Sequence, residues 1–157
     1  MKIKFLIVSI LIFNFYILPQ NISKVGTTAA TFLEIGVGAS ATGMGGAFVT
    51  QSNDATSLYW NPAGIANLQQ NQVVFNHTNW IASTNLDYAA LVLPLGDLGN
   101  LGLSYTSLSM PDMAVRTVAM PEGTGEFFSA GDLAIGISYG RTITDRFSIG
   151  FTAKYIQ

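Results

Sequence analysis

The sequence predicts an all-β protein: an antiparallel transmembrane β-barrel, incomplete over the residues present, preceded by a segment that is not strand. Three observations predict it. Only 10% of the 157 residues are Asp, Glu, Lys or Arg, against about 25% in soluble globular chains. The apolar set reaches 49%, with 16 glycines besides; that leaves too little charge to cover a water-soluble sphere and too much apolar surface for disorder. After residue 20 no apolar run approaches the roughly 18 residues of a spanning helix. The second half of the chain instead alternates apolar and small or polar residues, the mark of strands with two unlike faces. In lipid only helices and closed barrels satisfy every backbone polar group, so a membrane protein of this pattern is a barrel.

Residues 1–23 read as a secretory signal peptide. Lys2 and Lys4 precede an apolar stretch over residues 5–18, and Pro19 ends it. That stretch is too short to span a bilayer but fits the basic-then-apolar export pattern. No Ala-x-Ala triplet marks a cleavage point, which is expected between Pro19 and Lys24.

Residues 24–70 carry glycine runs and one short helical signal. Gly36-Val37-Gly38-Ala39-Ser40-Ala41 fits a dinucleotide fingerprint, with Asp54 further on. That fingerprint requires a βαβ unit, whereas everything after residue 70 alternates as antiparallel strands. The plainer reading is small residues packed tightly against a wall. Next come Gly43, Gly45 and Gly46, then Asp54-Ala55-Thr56-Ser57-Leu58-Tyr59-Trp60. Asp54 is a good N-cap for a short helix through Trp60. Asn61-Pro62-Ala63-Gly64 ends that helix in a turn.

Five strands follow. Residues 71–80 alternate only in part, and residues 86–95 are apolar on both faces, as expected of a strand packed on something inside the lumen. Leu101–Thr106, Leu133–Gly140 and Phe147–Tyr155 alternate strictly, with the large apolar residues at odd positions. The odd face is expected to meet lipid and the even face the interior, with Tyr105, Tyr139 and Tyr155 near strand ends as an aromatic girdle. Residues 96–100 and 142–146 are tight links, while 109–129 make a long excursion, the short-turn, long-loop habit of outer-membrane barrels. A soluble β-sandwich would show the same alternation; the low charge and the export signal favour the barrel.

No constellation points to catalysis. His77 is the single histidine and reads as a polar lumen or rim residue. Asp87, Asp112, Glu126 and Asp132 are dispersed. Lys154 falls on the interior face and Arg141 at a turn, which keeps both charges out of lipid. Met110, Met113 and Met120 in the long loop could meet a hydrophobic partner. With no cysteine there is no disulfide, thiolate metal site or cysteine nucleophile. A net charge of −2 leaves no basic patch for nucleic acid. No cofactor is expected.

The chain resembles the PorV/PorQ family, within the wider FadL-like group of outer-membrane barrels. The resemblance is carried by GMGGAFV (43–49) and DATSLYWNPAG (54–64) and continues through HTNW (77–80), YAALVLPLGDLG (88–99), LSMPDM (108–113) and PEGTGEFFSAGDLAIGISYGR (121–141). It implies a barrel whose N-terminal segment, residues 24–70, folds inside as a hatch. Gly43, Gly45, Gly46, Asp54, Tyr59, Trp60, Asn61, Pro62 and Gly64 form its motif, with Tyr59 and Trp60 as packing anchors. It implies a non-enzymatic role in type IX secretion at the outer membrane of Bacteroidota-type bacteria, with secretion components, cargo proteins and membrane lipid as partners. A FadL-like transporter of hydrophobic small molecules is the alternative. Single-chain barrels have at least eight strands, so residues 71–157 are expected to be the first part of a longer barrel, or one that closes with other chains.

Overall fold

The computed structural model describes residues 29–51 and 54–157; the expected signal peptide, residues 1–23, lies outside them. Residues 72–156 form one antiparallel sheet in the order β1 (Gln72–Asn79), β2 (Asn85–Pro94), β3 (Asn100–Ser109), β6 (Gly131–Thr144), β7 (Phe147–Ile156). Two short strands, β4 (Met113–Ala114) and β5 (Phe127–Phe128), pair with each other inside the long connection between β3 and β6. The sheet does not close, so the architecture among the described residues is an all-β, incomplete barrel wall.

The period-two pattern sorts side chains by face, and the sorting is the reverse of a soluble protein's. In β3 the even positions Gly102, Ser104 and Thr106 are buried while Leu103 and Tyr105 are exposed. In β6, Ala134, Gly136 and Ser138 are buried beneath exposed Ile135 and Ile137. What covers the small, polar face is the N-terminal segment. It runs from a 3-10 turn at Thr31–Glu34, through α1 (Ala39–Gly43) and α2 (Ser57–Trp60), to a second 3-10 turn at Pro62–Asn67. Its Val37, Ala55, Leu58, Ile65 and Leu68 share one core with Leu86, Tyr88, Ala90 and Val92 of β2. This accounts for the second apolar face of β2. Each Val, Leu or Ile among them contributes about 1.5–3 kcal/mol on burial.

Three expectations need correction. β3 and β6 extend beyond their apolar stretches, to Ser109 and Thr144, because ladder pairing is made by the backbone and continues through Ser, Thr and Arg. Tyr105 and Tyr139 therefore sit within strands, not at their ends. Arg141 likewise lies in β6, paired with Ile149, and not in a turn. The link to β7 shortens to residues 145–146, with a register shift between Thr142 and Thr144.

Candidate functional site

The residues of the N-terminal motif converge on one construction, a seat and a latch. The latch is built from three consecutive side chains. The N-cap of α2 is Thr56 and not, as expected, Asp54, which instead fixes the turn leading into the helix: its carboxylate accepts from the Thr56 N–H at 2.8 Å and from the Thr56 hydroxyl, and its carbonyl accepts from the Ser57 N–H at 3.0 Å. α2 then projects Tyr59 and Trp60 back onto residues 33–37. The Tyr59 hydroxyl donates to the carbonyls of Leu33 and Ile35, the latter at 2.9 Å. Trp60 Nε1 donates to the Val37 carbonyl at 2.9 Å. Asn61 breaks the helix in an extended conformation and donates from Nδ2 to the Val49 carbonyl at 3.0 Å.

Burial, with Glu34 adding to it, pushes the Tyr59 phenol above its usual range, so it stays a donor. The two rings meet edge to face, 5.1 Å between centroids, and Tyr59 packs the same way on Tyr88 at 5.9 Å. Lys154, reaching in from β7, lies 5.6 Å from the Tyr59 ring centroid.

The seat receives residues 61–68. Asn61 Oδ1 accepts from the Ala63 N–H at 3.1 Å, and Pro62 starts the turn, where its missing N–H costs nothing. The turn lies in a notch made by Gly140 and Gly150, register partners on β6 and β7. A methyl group on Gly140 would come 2.7 Å from Ile65 Cγ1 and 2.9 Å from the Pro62 carbonyl, and one on Gly150 would overlap the backbone of Pro62 and Ala63. Gly102 gives the same clearance to Leu58. Asn100 locks the seat: its Nδ2 donates to the carbonyls of Ile65 and Leu68, the latter at 2.7 Å.

Of the motif residues, Asp54, Tyr59, Trp60, Asn61 and Pro62 meet in this construction, and Gly64 is buried within the turn. Gly43, Gly45 and Gly46 do not. An added Cβ on any of them would meet nothing within 4 Å, although Gly45 and Gly46 carry φ of 64° and 84°. They shape a turn bordering a cavity of about 350 Å³ that Trp60, Glu34 and Trp80 also line. The Gly36–Ala41 fingerprint serves packing: a Cβ on Gly36 would press on the Trp60 indole at 3.2 Å. Sequence reasoning missed Asn100, Gly102, Gly140 and Gly150. Their signal was phase, since all four stand at inward-facing positions.

His77 faces outward, in phase with Val73 and Phe75, not into the interior; its Nδ1 lies 2.7 Å from Asp87 Oδ1 on the neighbouring strand, two residues from the end of β1. A second apolar cavity, of about 420 Å³, opens between the Thr31–Glu34 turn and the β1–β2 link, lined by Phe32, Ile35, Trp80, Ile81 and Leu108. The non-glycine residues with left-handed backbone among the described residues, Ala30, Ala82 and Ser83, all lie on or beside its walls.

No curated protein and no solved structure matches the chain. Residues 18–157 match the family described as type IX secretion system protein PorV. That match covers the N-terminal segment together with every strand of the sheet, and the chain therefore belongs to the PorV family of type IX secretion system proteins.

Proposed function

We propose that this protein is a non-enzymatic outer-membrane β-barrel of the PorV type, exported by its signal peptide and handling secreted cargo or neighbouring secretion components at the outer membrane. In this reading residues 24–70 are a hatch inside the lumen, as in FadL-like barrels, and residues 71–157 are the first part of the wall. One observation carries it: the inverted polarity of the sheet. Outward rows run Phe75, Ala89, Tyr105, Ile135, Tyr155, then Val73, Leu91, Leu103, Ile137, Ala153, then Leu93, Leu101, Tyr139, Phe151. Aliphatic residues fill the middle row, and the rows on either side mix aliphatic and aromatic residues, so three successive outward rows carry no charge, as a lipid-facing band requires.

Charges bracket this band. His77 and Asp87 stand in the row that reaches Leu133, and Arg141 lies farther along β6. From Leu133 to Arg141 the strand advances about 27 Å. At the usual tilt this is about 20 Å of depth, commensurate with the roughly 25 Å band of outer-membrane barrels.

The test is a gene deletion followed by measurement of a type IX cargo in medium and periplasm. The cargo should accumulate inside and be released again when the wild-type gene is restored. Unchanged secretion in the deletion strain would contradict the proposal. The cavity beside Trp80 favours the second reading, passage of hydrophobic small molecules. Uptake of a labelled hydrophobic compound that falls in the deletion strain while cargo secretion stays normal would replace the first reading with the second.

A further inference from the structure

We infer that residues 33–37 are an internal peptide ligand, seated on a track that takes an extended apolar segment of a secreted protein when this strap is displaced. The donors define the track. The Tyr59 hydroxyl donates to the Leu33 and Ile35 carbonyls, and Trp60 Nε1 donates to the Val37 carbonyl. Every second carbonyl is thus held from one side, as in a strand pair. No strand of either sheet pairs with the segment among the described residues, so two side chains stand where a ladder would. Contacts to main-chain carbonyls give affinity for an extended chain of any sequence, and the seating of its side chains supplies selection.

Selection follows from what the strap presents. Val37 is buried in the core and Ile35 packs against it. Gly36, between them, faces the Trp60 indole, where a Cβ would come within 3.2 Å. The fitting occupant reads apolar, glycine, apolar. Two features make the strap displaceable. Both its ends are left-handed, Ala30 at φ 57° and Gly38 at φ 95°, a conformation unfavourable for alanine. Cavities also lie against it: one of about 350 Å³ reaches Glu34 and Gly36, and one of about 420 Å³ reaches Phe32 and Ile35. On those sides the strap has few atoms to hold it.

Naming a secreted protein as the source rests on the proposed secretion role; the exchange itself does not. A tethered strap competes at an effective concentration on the order of 1 mM, so the probe is a synthetic peptide of residues 31–38 at millimolar concentration. The chain has no cysteine, and an environment-sensitive dye on Thr31→Cys, in the intact protein in detergent, reports departure of the strap. The peptide should shift the dye signal while the heat-modifiable gel shift of the folded barrel persists. The Gly36→Leu form of the peptide should leave the signal unchanged. Gly36→Leu in the protein unseats the strap and keeps both donors, so labelled wild-type peptide should bind it at least tenfold more tightly than the wild-type protein. Tyr59→Phe with Trp60→Phe in that background should reverse the gain. The dye measurement leaves the track unaltered and decides the matter even where Gly36→Leu does not fold. No shift at millimolar peptide, or an equal shift with the leucine peptide or with laurate, would overturn the track. A shift combined with normal cargo secretion in the deletion strain would overturn the secreted protein as its source. No shift, with secretion lost in the deletion strain, would overturn the track alone.

Discussion

Glycine does two different jobs in this chain. Gly150 and Gly140 are absences of side chain: the Pro62–Asn67 turn occupies the space their side chains would take. Gly43 has neither a close neighbour nor left-handed backbone. Gly150→Ala should therefore displace residues 61–68, with an overpacking cost of about 1–3 kcal/mol, whereas Gly43→Ala should be silent. Limited proteolysis of residues 54–68 in detergent, with the gel shift as folding control, reads the difference.

Trp60 offers a second comparison. Trp60→Phe keeps a ring against Gly36 but leaves the Val37 carbonyl without its donor. An unsatisfied buried group costs about 1–3 kcal/mol; truncation of a fully buried Trp to Ala costs about 3–5 kcal/mol, and half-buried Trp60 falls below that range. Cleavage between residues 33 and 49 should rise modestly in Trp60→Phe and sharply in Trp60→Ala. The identity of these anchors was legible because a short capped helix with adjacent aromatics and no strand of its own must pack on something. Their partners were not legible. Tyr59, Trp60 and Asn61 bond to backbone carbonyls, which carry no sequence signal.

The strands were legible by phase and illegible by length. Alternation in Leu101–Thr106 and Leu133–Gly140 assigns each side chain to a face, because successive residues of a strand point to opposite sides. Hydrogen bonding of the ladder is blind to side chains, so β6 runs to Thr144 and takes Arg141 with it. That extension gives arginine substitution a depth profile along one strand. Ile137→Arg, in the middle row, should cost about 2–4 kcal/mol, and Leu133→Arg, level with Asp87, about 0–1 kcal/mol. Urea titration of folding into lipid vesicles measures both. Equal costs at the two positions would mean that β6 does not traverse a bilayer. Inward, the loss of Asn100 from β3 tests the seat: Asn100→Ala strips a donor shared by two carbonyls and should free the turn at residues 62–68 to protease without disturbing the gel shift.

At the scale of the whole molecule, composition alone predicts a chain set against lipid, and under the proposed function the sheet explains how so few charges suffice. The large apolar residues do not form the core; Leu103, Ile135, Ile137, Phe151 and Tyr155 are exposed, and the core lies between the N-terminal segment and the opposite face. A soluble sandwich would bury those residues against a second sheet. Here the buried face is filled by a segment seated on glycines, and in the proposed barrel the exposed apolar face meets lipid. The sequence has no cysteine, so single cysteines can be placed without background. A fluorophore on each in turn at positions 133–139, in protein reconstituted in bilayers with spin-labelled acyl chains, reports contact with lipid residue by residue. The account predicts strong quenching at 135 and 137 and little at 134, 136 and 138; uniform quenching, or quenching in the opposite phase, would contradict it.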